Sequence, residues 1–332
     1  MAYTTIDDPE LYFQTKLYTG NGSTQTITYD NTDADLDADM IWLKARNHAY
    51  SHQLFDTVRG TTALLNPEAS DAEQTLSGIT AFSTDSFAIG SDAGTNGSAK
   101  TFVAWCWKES ATAGFDIVTY TGNGSGRTIS HSLSAVPHLY IVKGRTYAEN
   151  WMVYHHKNTS APETDYLEMS LTVATADDNT RFNDTAPTSS VFSVGSGDGT
   201  NKDTYTYVAY LWSEKQGFSK FGSYTGNNDN GDGPFIYTGF RPAFLMCKKT
   251  GGTADWIIVD SKRDIGNVTE NYLHASASDA ETTFSTNRVN LLSNGFKLKG
   301  NSEQFNVATT YIYMAFAEAP FVNSNGVPCN AR

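Results

Sequence analysis

The residues with most potential for chemistry are acidic and alternate. Asp33, Asp35, Asp37 and Asp39 lie in Asp30-Asn-Thr-Asp-Ala-Asp-Leu-Asp-Ala-Asp39. On a strand, every second side chain shares a face, so four carboxylates would crowd one side and repel. A hard cation such as Ca²⁺ relieves that repulsion through oxygen ligands. The run lacks the glycine and terminal glutamate of a calcium-binding loop, so a solvated acidic loop is expected, with Ca²⁺ the weaker candidate. Asn228-Asp-Asn-Gly-Asp232 is a shorter version of the pattern. Glu163, Asp165 and Glu318 are carboxylates of the kind that glycan hydrolysis needs in a convergent pair. No nucleophile elbow, HExxH string or phosphate-binding glycine loop accompanies them, so no catalysis is expected. A glycan-degrading depolymerase is the remote alternative, because its carboxylates need not be close in sequence. His155 and His156 are adjacent and would point to opposite faces of a strand. His48, His52, His131, His138 and His274 show no zinc spacing. Cys106, Cys247 and Cys329 are odd in number and far apart, giving neither a disulfide framework nor a CxxC pair. No metal or other cofactor is expected.

Polar loops offer binding chemistry instead. Tyr-Thr-Gly-Asn occurs at Tyr18, Tyr120 and Tyr224, placing Asn21, Asn123, Asn227 and Asn228 at loop tips. Such amides can hydrogen-bond sugar hydroxyls. Asn-Gly is equally what a tight turn requires, and the turn is the expected role. Trp42, Trp105, Trp107, Trp151, Trp212 and Trp256 could stack on sugar rings. They sit in alternating apolar runs, where core anchors are expected.

The elements that must position these residues repeat. The three tyrosines are 102 and 104 residues apart. Phe102-Val-Ala-Trp-Cys-Trp107 and Tyr207-Val-Ala-Tyr-Leu-Trp212 match, and Tyr313-Met-Ala-Phe316 completes the set by aligning Ala104, Ala209 and Ala315. Apolar strands end in a base at Lys44, Lys143 and Lys248. A tryptophan strand occurs at Trp151 and Trp256, with Ser51-His-Gln-Leu-Phe55 in its place in the first copy. Such self-similarity means three copies of one unit. The period within a unit is two, with Asp198-Gly199, Asn230-Gly231 and Asn294-Gly295 as turn dipeptides. The fold expected is all-β: three tandem small β-sandwich modules of about 100 residues with very little helix. The modules span residues 14–110, 114–215 and 218–322, between an arm at 1–13 and a tail at 323–332. Short helical turns are expected at Ser70-Asp-Ala-Glu73 and Ser278-Asp-Ala-Glu281, where serine precedes acids. Linkers this short make a semi-rigid string the expected arrangement.

Composition narrows the partners. Against 23 basic residues stand 36 acidic ones, a net charge of −13, which disfavours nucleic acid and anionic membrane surfaces. The longest apolar run, Tyr311–Ala317, is far short of a membrane helix, and no secretory leader is read at the N-terminus.

Several segments resemble repeated modules in virion proteins of tailed phages, common in marine phage genomes. They are Thr4-Thr-Ile-Asp-Asp-Pro9 with Tyr12-Phe13-Gln14, Phe55-Asp-Thr-Val-Arg-Gly60, Thr238-Gly-Phe-Arg-Pro242, and Tyr311-Ile-Tyr-Met-Ala-Phe-Ala-Glu-Ala-Pro-Phe321. The resemblance covers residues 2–322 and implies a virion structural protein, made in the host cytoplasm and carried on the tail or particle surface. A tail-fibre or tail-associated adhesin recognising a host surface glycan or protein is expected, as a homo-oligomer. A capsid or tail decoration or scaffold protein without receptor binding is the alternative. The arm, through Tyr3, Leu11, Tyr12 and Phe13, is the expected anchor to other virion proteins, since apolar residues ahead of the first module need a cover.

Overall fold

The computed structural model describes residues 2–30, 36–264, 266, 269–284 and 288–329. Strands hold 44% of the described residues and helix 5%. Each repeat opens with a seven-residue strand that pairs antiparallel with the strand closing the same repeat. Phe13–Thr19 pairs with Thr101–Trp107, Phe115–Thr121 with Thr206–Trp212, and Ser219–Thr225 with Thr310–Pro320. The closing strands pair on their other side with Met40–Ala45, Leu139–Gly144 and Phe240–Lys249. Three further strands extend each sheet to six. A small sheet covers one face of each: Gln25–Thr28, Ser86–Ile89 and Ile79–Ser83 in the first unit, Arg127–Ser130 and Val191–Val194 in the second, and Phe235–Tyr237, Gly295–Lys299 and Arg288–Leu292 in the third. Alternation assigns the faces. Ile41, Leu43, Ala104 and Cys106 face the small sheet, while Met40, Trp42, Val103, Trp105 and Trp107 face away from it. Each unit is thus sandwich-like, with an internal core.

The opposite faces meet one another. A single core joins Trp42, Trp105 and Trp107 of the first unit to Ile141, Trp151 and Trp212 of the second and Phe244, Met246 and Phe316 of the third. Phe13 stacks on Phe316 at 5.0–5.1 Å from both that ring and Trp107. The expected semi-rigid string is therefore corrected to three sandwiches closed around a shared core. The cause is visible in the burial of the strands: all six residues of Met40–Ala45 and of Leu139–Gly144 are buried, as in sheets covered on both faces.

The closure has threefold character, because each unit makes corresponding contacts to the unit before it, and the first makes them to the third. Trp151 Nε1 donates to the Asn66 carbonyl (3.0 Å), Trp256 Nε1 to Glu168 (3.0 Å), and the ring nitrogen Nε2 of His52 to His274 (2.8 Å). Trp42 Nε1 donates to His52 Nδ1 at 2.8 Å, so Nε2 holds the proton of a neutral ring. Lys44, Lys143 and Lys248 are fully buried at the same seams. Lys143 Nζ donates to the carbonyls of Gly144 (2.9 Å) and Ser70 (3.2 Å), and Lys248 Nζ to those of Lys249 (2.9 Å) and Thr172 (3.1 Å). Lys44 Nζ donates to Ala45 at 2.9 Å. Burial pushes all three amines down to about 8.

Beyond these lysines, two seams carry a charged Asp–Arg–Glu–Arg set and the third a neutral one. Between the first two units, buried Arg59 donates to Asp56 (2.5 Å) and Glu73 (2.9 Å), and Arg145 grips Glu73 with two bonds of 2.8 Å. Between the third and first, buried Arg263 donates to Asp260 (2.6 Å) and Glu281 (3.0 Å), and Arg46 grips Glu281 at 3.0 and 2.8 Å. At the second–third seam the corresponding positions are His155, Asn158, Thr175 and Thr250. There Thr175 Oγ1 donates to Asn158 Oδ1 at 2.6 Å, and Thr175 N to the Thr250 carbonyl at 3.0 Å.

These seams also explain where local expectations fail. Ser70–Glu73 is not helical, because its backbone is paired across a seam: the Ser70 carbonyl accepts from Glu149 N and Glu73 N donates to Arg145, both at 2.7 Å. Ser278–Glu281 is non-helical likewise, with Glu281 N donating to the Arg46 carbonyl at 2.7 Å. Asp198-Gly199 opens the helical turn Asp198–Asn201 and not a hairpin. In the third unit, Tyr224 pairs with Tyr311 as Tyr18 does with Phe102, so Tyr313, and not Ala315, holds the position that Ala104 and Ala209 hold in the other units. The two-residue slip goes unnoticed in sequence because it keeps every side chain on its face.

Candidate functional site

The repeated loops are held by a residue that the motif does not contain. Asn96, Asn201 and Asn306, each 105 residues from the next, are fully buried. Their Oδ1 atoms accept from the backbone N–H of Asn21, Asn123 and Asn227 at 2.9–3.0 Å. Their amides donate back to the Oδ1 of the same residues, at 3.3, 3.0 and 3.0 Å. They also donate to Gly90, Gly195 and Gly300 carbonyls at 2.6, 2.8 and 2.6 Å. The following position is left-handed in each copy, at Gly22 (φ 75°), Gly124 (69°) and Asn228 (57°), which is why glycine or asparagine stands there. Asn21, Asn123, Asn227 and Asn228 are exposed, but the geometry of the first three serves the turn. The tyrosines share one environment: Tyr18, Tyr120 and Tyr224 each stack on a ring at 5.1 Å and donate to the Thr95, Thr200 and Phe305 carbonyls. The tryptophans are buried core anchors.

Of the alternating acids, Asp33 and Asp35 lie outside the described residues. Asp37 is exposed, and Asp39 accepts from Thr57 Oγ1 (3.0 Å) and Glu109 N (2.7 Å). Among the described residues no three His, Cys, Asp or Glu side chains group as metal ligands.

The arm is seated on the chain itself. Ile6 and Phe13 are in the shared core, Tyr12 packs edge-on against Phe218 at 6.0 Å, and Leu11 is half-buried in a 3-10 turn started by Asp8 and Pro9. Tyr3 donates to the Gly239 carbonyl at 2.8 Å and meets the Tyr237 hydroxyl at 3.1 Å. Asp7 accepts from Ser324 N at 2.6 Å, tying arm to tail. The apolar cover that the arm needs is thus supplied from within.

Where this arm crosses the second–third linker, a cleft of about 460 Å³ opens, within the range of small-ligand sites. Tyr3, His138, Glu214, Gln216, Lys220 and Tyr237 line it. A depression of about 670 Å³ continues it past Tyr3 and Gln216 toward Ser324. Glu214 is held by Lys220 Nζ (3.1 Å) and Phe221 N (3.0 Å). His138 Nδ1 accepts from Glu214 N at 3.0 Å, and its ring meets that of His156 edge-on at 4.5 Å. Burial lowers the pKa of His138, so the ring is neutral and Nε2–H is its donor. His156 is pushed down to about 4 by burial and donates from Nε2 to the Phe221 carbonyl at 2.6 Å. Tyr3 is raised by burial and by Tyr237, and stays a phenol. Tyr237 is 53% exposed.

The threefold plan supplies an internal comparison. At the first–second linker the positions of His138, Glu214 and Lys220 are held by Asp39, Glu109 and Asp116, where burial and Asp116 push Glu109 up to about 8. The third copy has Ala243 and Glu318, the latter paired with Arg241 at 3.0 Å. The same backbone accepts quite different side chains, so the fold does not dictate the His–Glu–Lys set. Sequence reading missed this cleft because Tyr3 and Tyr237, which flank the linker, meet only through ring closure.

No curated protein and no solved structure matches the chain. A family model described as a domain of unknown function, DUF7483, matches residues 8–320. That span runs from the arm through all three sandwiches, and the chain belongs to the DUF7483 family.

Proposed function

We propose that this protein is a structural component of a tailed-phage virion, tail-associated, which binds a host surface and catalyses no reaction. The observation that carries the reading is the closure of three similar units around one core. It makes a stiff body from a single chain and sets the Tyr-Thr-Gly-Asn loops at three related positions, suited to repeated weak contacts that add by multivalency. The segments resembling phage virion modules support the setting. The arm's seat on the chain's own third unit favours an adhesin over a decoration protein, whose arm would await a neighbouring subunit. Among the described residues no helix is long and apolar enough to cross a membrane.

The test is mass spectrometry of purified particles of the encoding phage, followed by immunogold labelling. Finding the protein on the tail supports the reading. Its absence from particles overturns it, and label over the capsid shell returns the decoration protein.

A further inference from the structure

We propose that the cleft between the arm and the second–third linker binds a neutral saccharide, with Tyr237 as its stacking face. The proposal rests on the attachment reading for its biological setting and on the cleft's chemistry for its content. The volume, about 460 Å³ with a further depression beyond Tyr3, suits an elongated small ligand. Charge is balanced inside: the Glu214 carboxylate is met by Lys220 at 3.1 Å. The neutral His138 ring and the Tyr3 phenol add none. With the whole chain at −13, nothing here draws an anion.

What remains is a closely spaced mixture of donors and acceptors beside flat rings. His138 Nε2–H donates, Glu214 and the Tyr237 hydroxyl, whose proton is turned to Tyr3, accept, and the exposed Gln216 amide does both. Sugar hydroxyls likewise donate and accept, and their C–H faces lie on aromatic rings. A purely apolar ligand would leave these polar groups unpaired, at a cost. The comparison across linkers supports a selected site, because the corresponding positions carry three carboxylates in one copy and Ala243 with Glu318 in another.

Saturation-transfer NMR on the full chain, with lactose, maltose and chitobiose as neutral probes and glucuronic acid as the charged one, tests this. At least one neutral disaccharide should take up saturation with a Kd on the order of 1 mM. Tyr237→Ala and His138→Ala should each weaken it at least tenfold, while Val58→Ala, an exposed change on the first unit, leaves it unaltered. Unchanged far-UV circular dichroism and melting would show that the variants fold; should His138→Ala unfold, the exposed Tyr237→Ala decides. No transfer to any neutral sugar, transfer surviving Tyr237→Ala, or glucuronic acid binding tenfold tighter each overturns the proposal. Particles that carry the protein on the tail while it ignores sugars would sink this inference alone. Sugar binding by a protein absent from particles would sink the virion reading alone.

Discussion

The neutral seam is a template for rewriting a charged one. At the third–first seam, Asp260 and Arg263 are fully buried, bonded at 2.6 Å, and extended by Glu281 and Arg46. Replacing Arg263 alone with Asn removes the cation and leaves the Asp260 carboxylate buried beside neutral donors, Trp105 Nε1 at 3.1 Å and the Arg263 backbone N–H at 2.9 Å. Breaking a buried pair from one side costs about 3–5 kcal/mol. With an m-value of about 3 kcal/mol/M for a chain of this size, the urea midpoint should fall by roughly 1 M or more. Replacing the four residues together (Asp260→His, Arg263→Asn, Glu281→Thr, Arg46→Thr) imports the set that the second–third seam already uses. No charge is then stranded, and the loss should be no more than about 2 kcal/mol, less than that of the single change. Urea unfolding followed by tryptophan fluorescence measures both. A single variant within about 1 kcal/mol of the parent, or a fourfold variant worse than the single, would refute the correspondence of the seams and the reasoning from stranded charge.

Stability should rise with pH in two windows. His52 and His155 are pushed down to about 3 and His156 to about 4, so the unfolded chain holds more protons below the ordinary value of 6.5; acid from pH 6.5 to 4 should lower the melting temperature steeply. Lys44, Lys143 and Lys248 fall to about 8 from 10.5, so stability should climb again between pH 8 and 10, and Lys143→Met should flatten that climb. Asn201→Ala strips donors from the Ser125 and Gly195 carbonyls and should cost about 2–3 kcal/mol, with faster amide exchange over Gly122–Ser125 as the local readout. Ile6→Ala should cost about 2–4 kcal/mol in urea, whereas an arm free to anchor elsewhere would lose nothing.

Much of this fold is legible along the chain and part is not. Tyr18, Tyr120 and Tyr224 mark the repeats because a loop bonded to its own unit keeps its residues. Ring closure is written less openly, in strands such as Leu139–Gly144 that have no solvent-facing side. The Asn96–Asn201–Asn306 series is as regular as the tyrosines, but lone asparagines in a polar sequence draw no notice until their shared hydrogen bonds are seen. Asp56 and Arg59 of the charged set stand together in Phe55-Asp-Thr-Val-Arg-Gly60, yet Glu73 and Arg145, which complete it, lie on either side of a unit boundary. The cleft is the least legible feature, since it draws on residue 3 and residue 237 at once.

Small-angle X-ray scattering tests the central claim most directly. Three units closed around one core should give a radius of gyration of about 20 Å, the value for a compact chain of 332 residues. Three separate 100-residue bodies in line would give roughly 30 Å and a profile with lobed spacings, and that result would contradict the shared core.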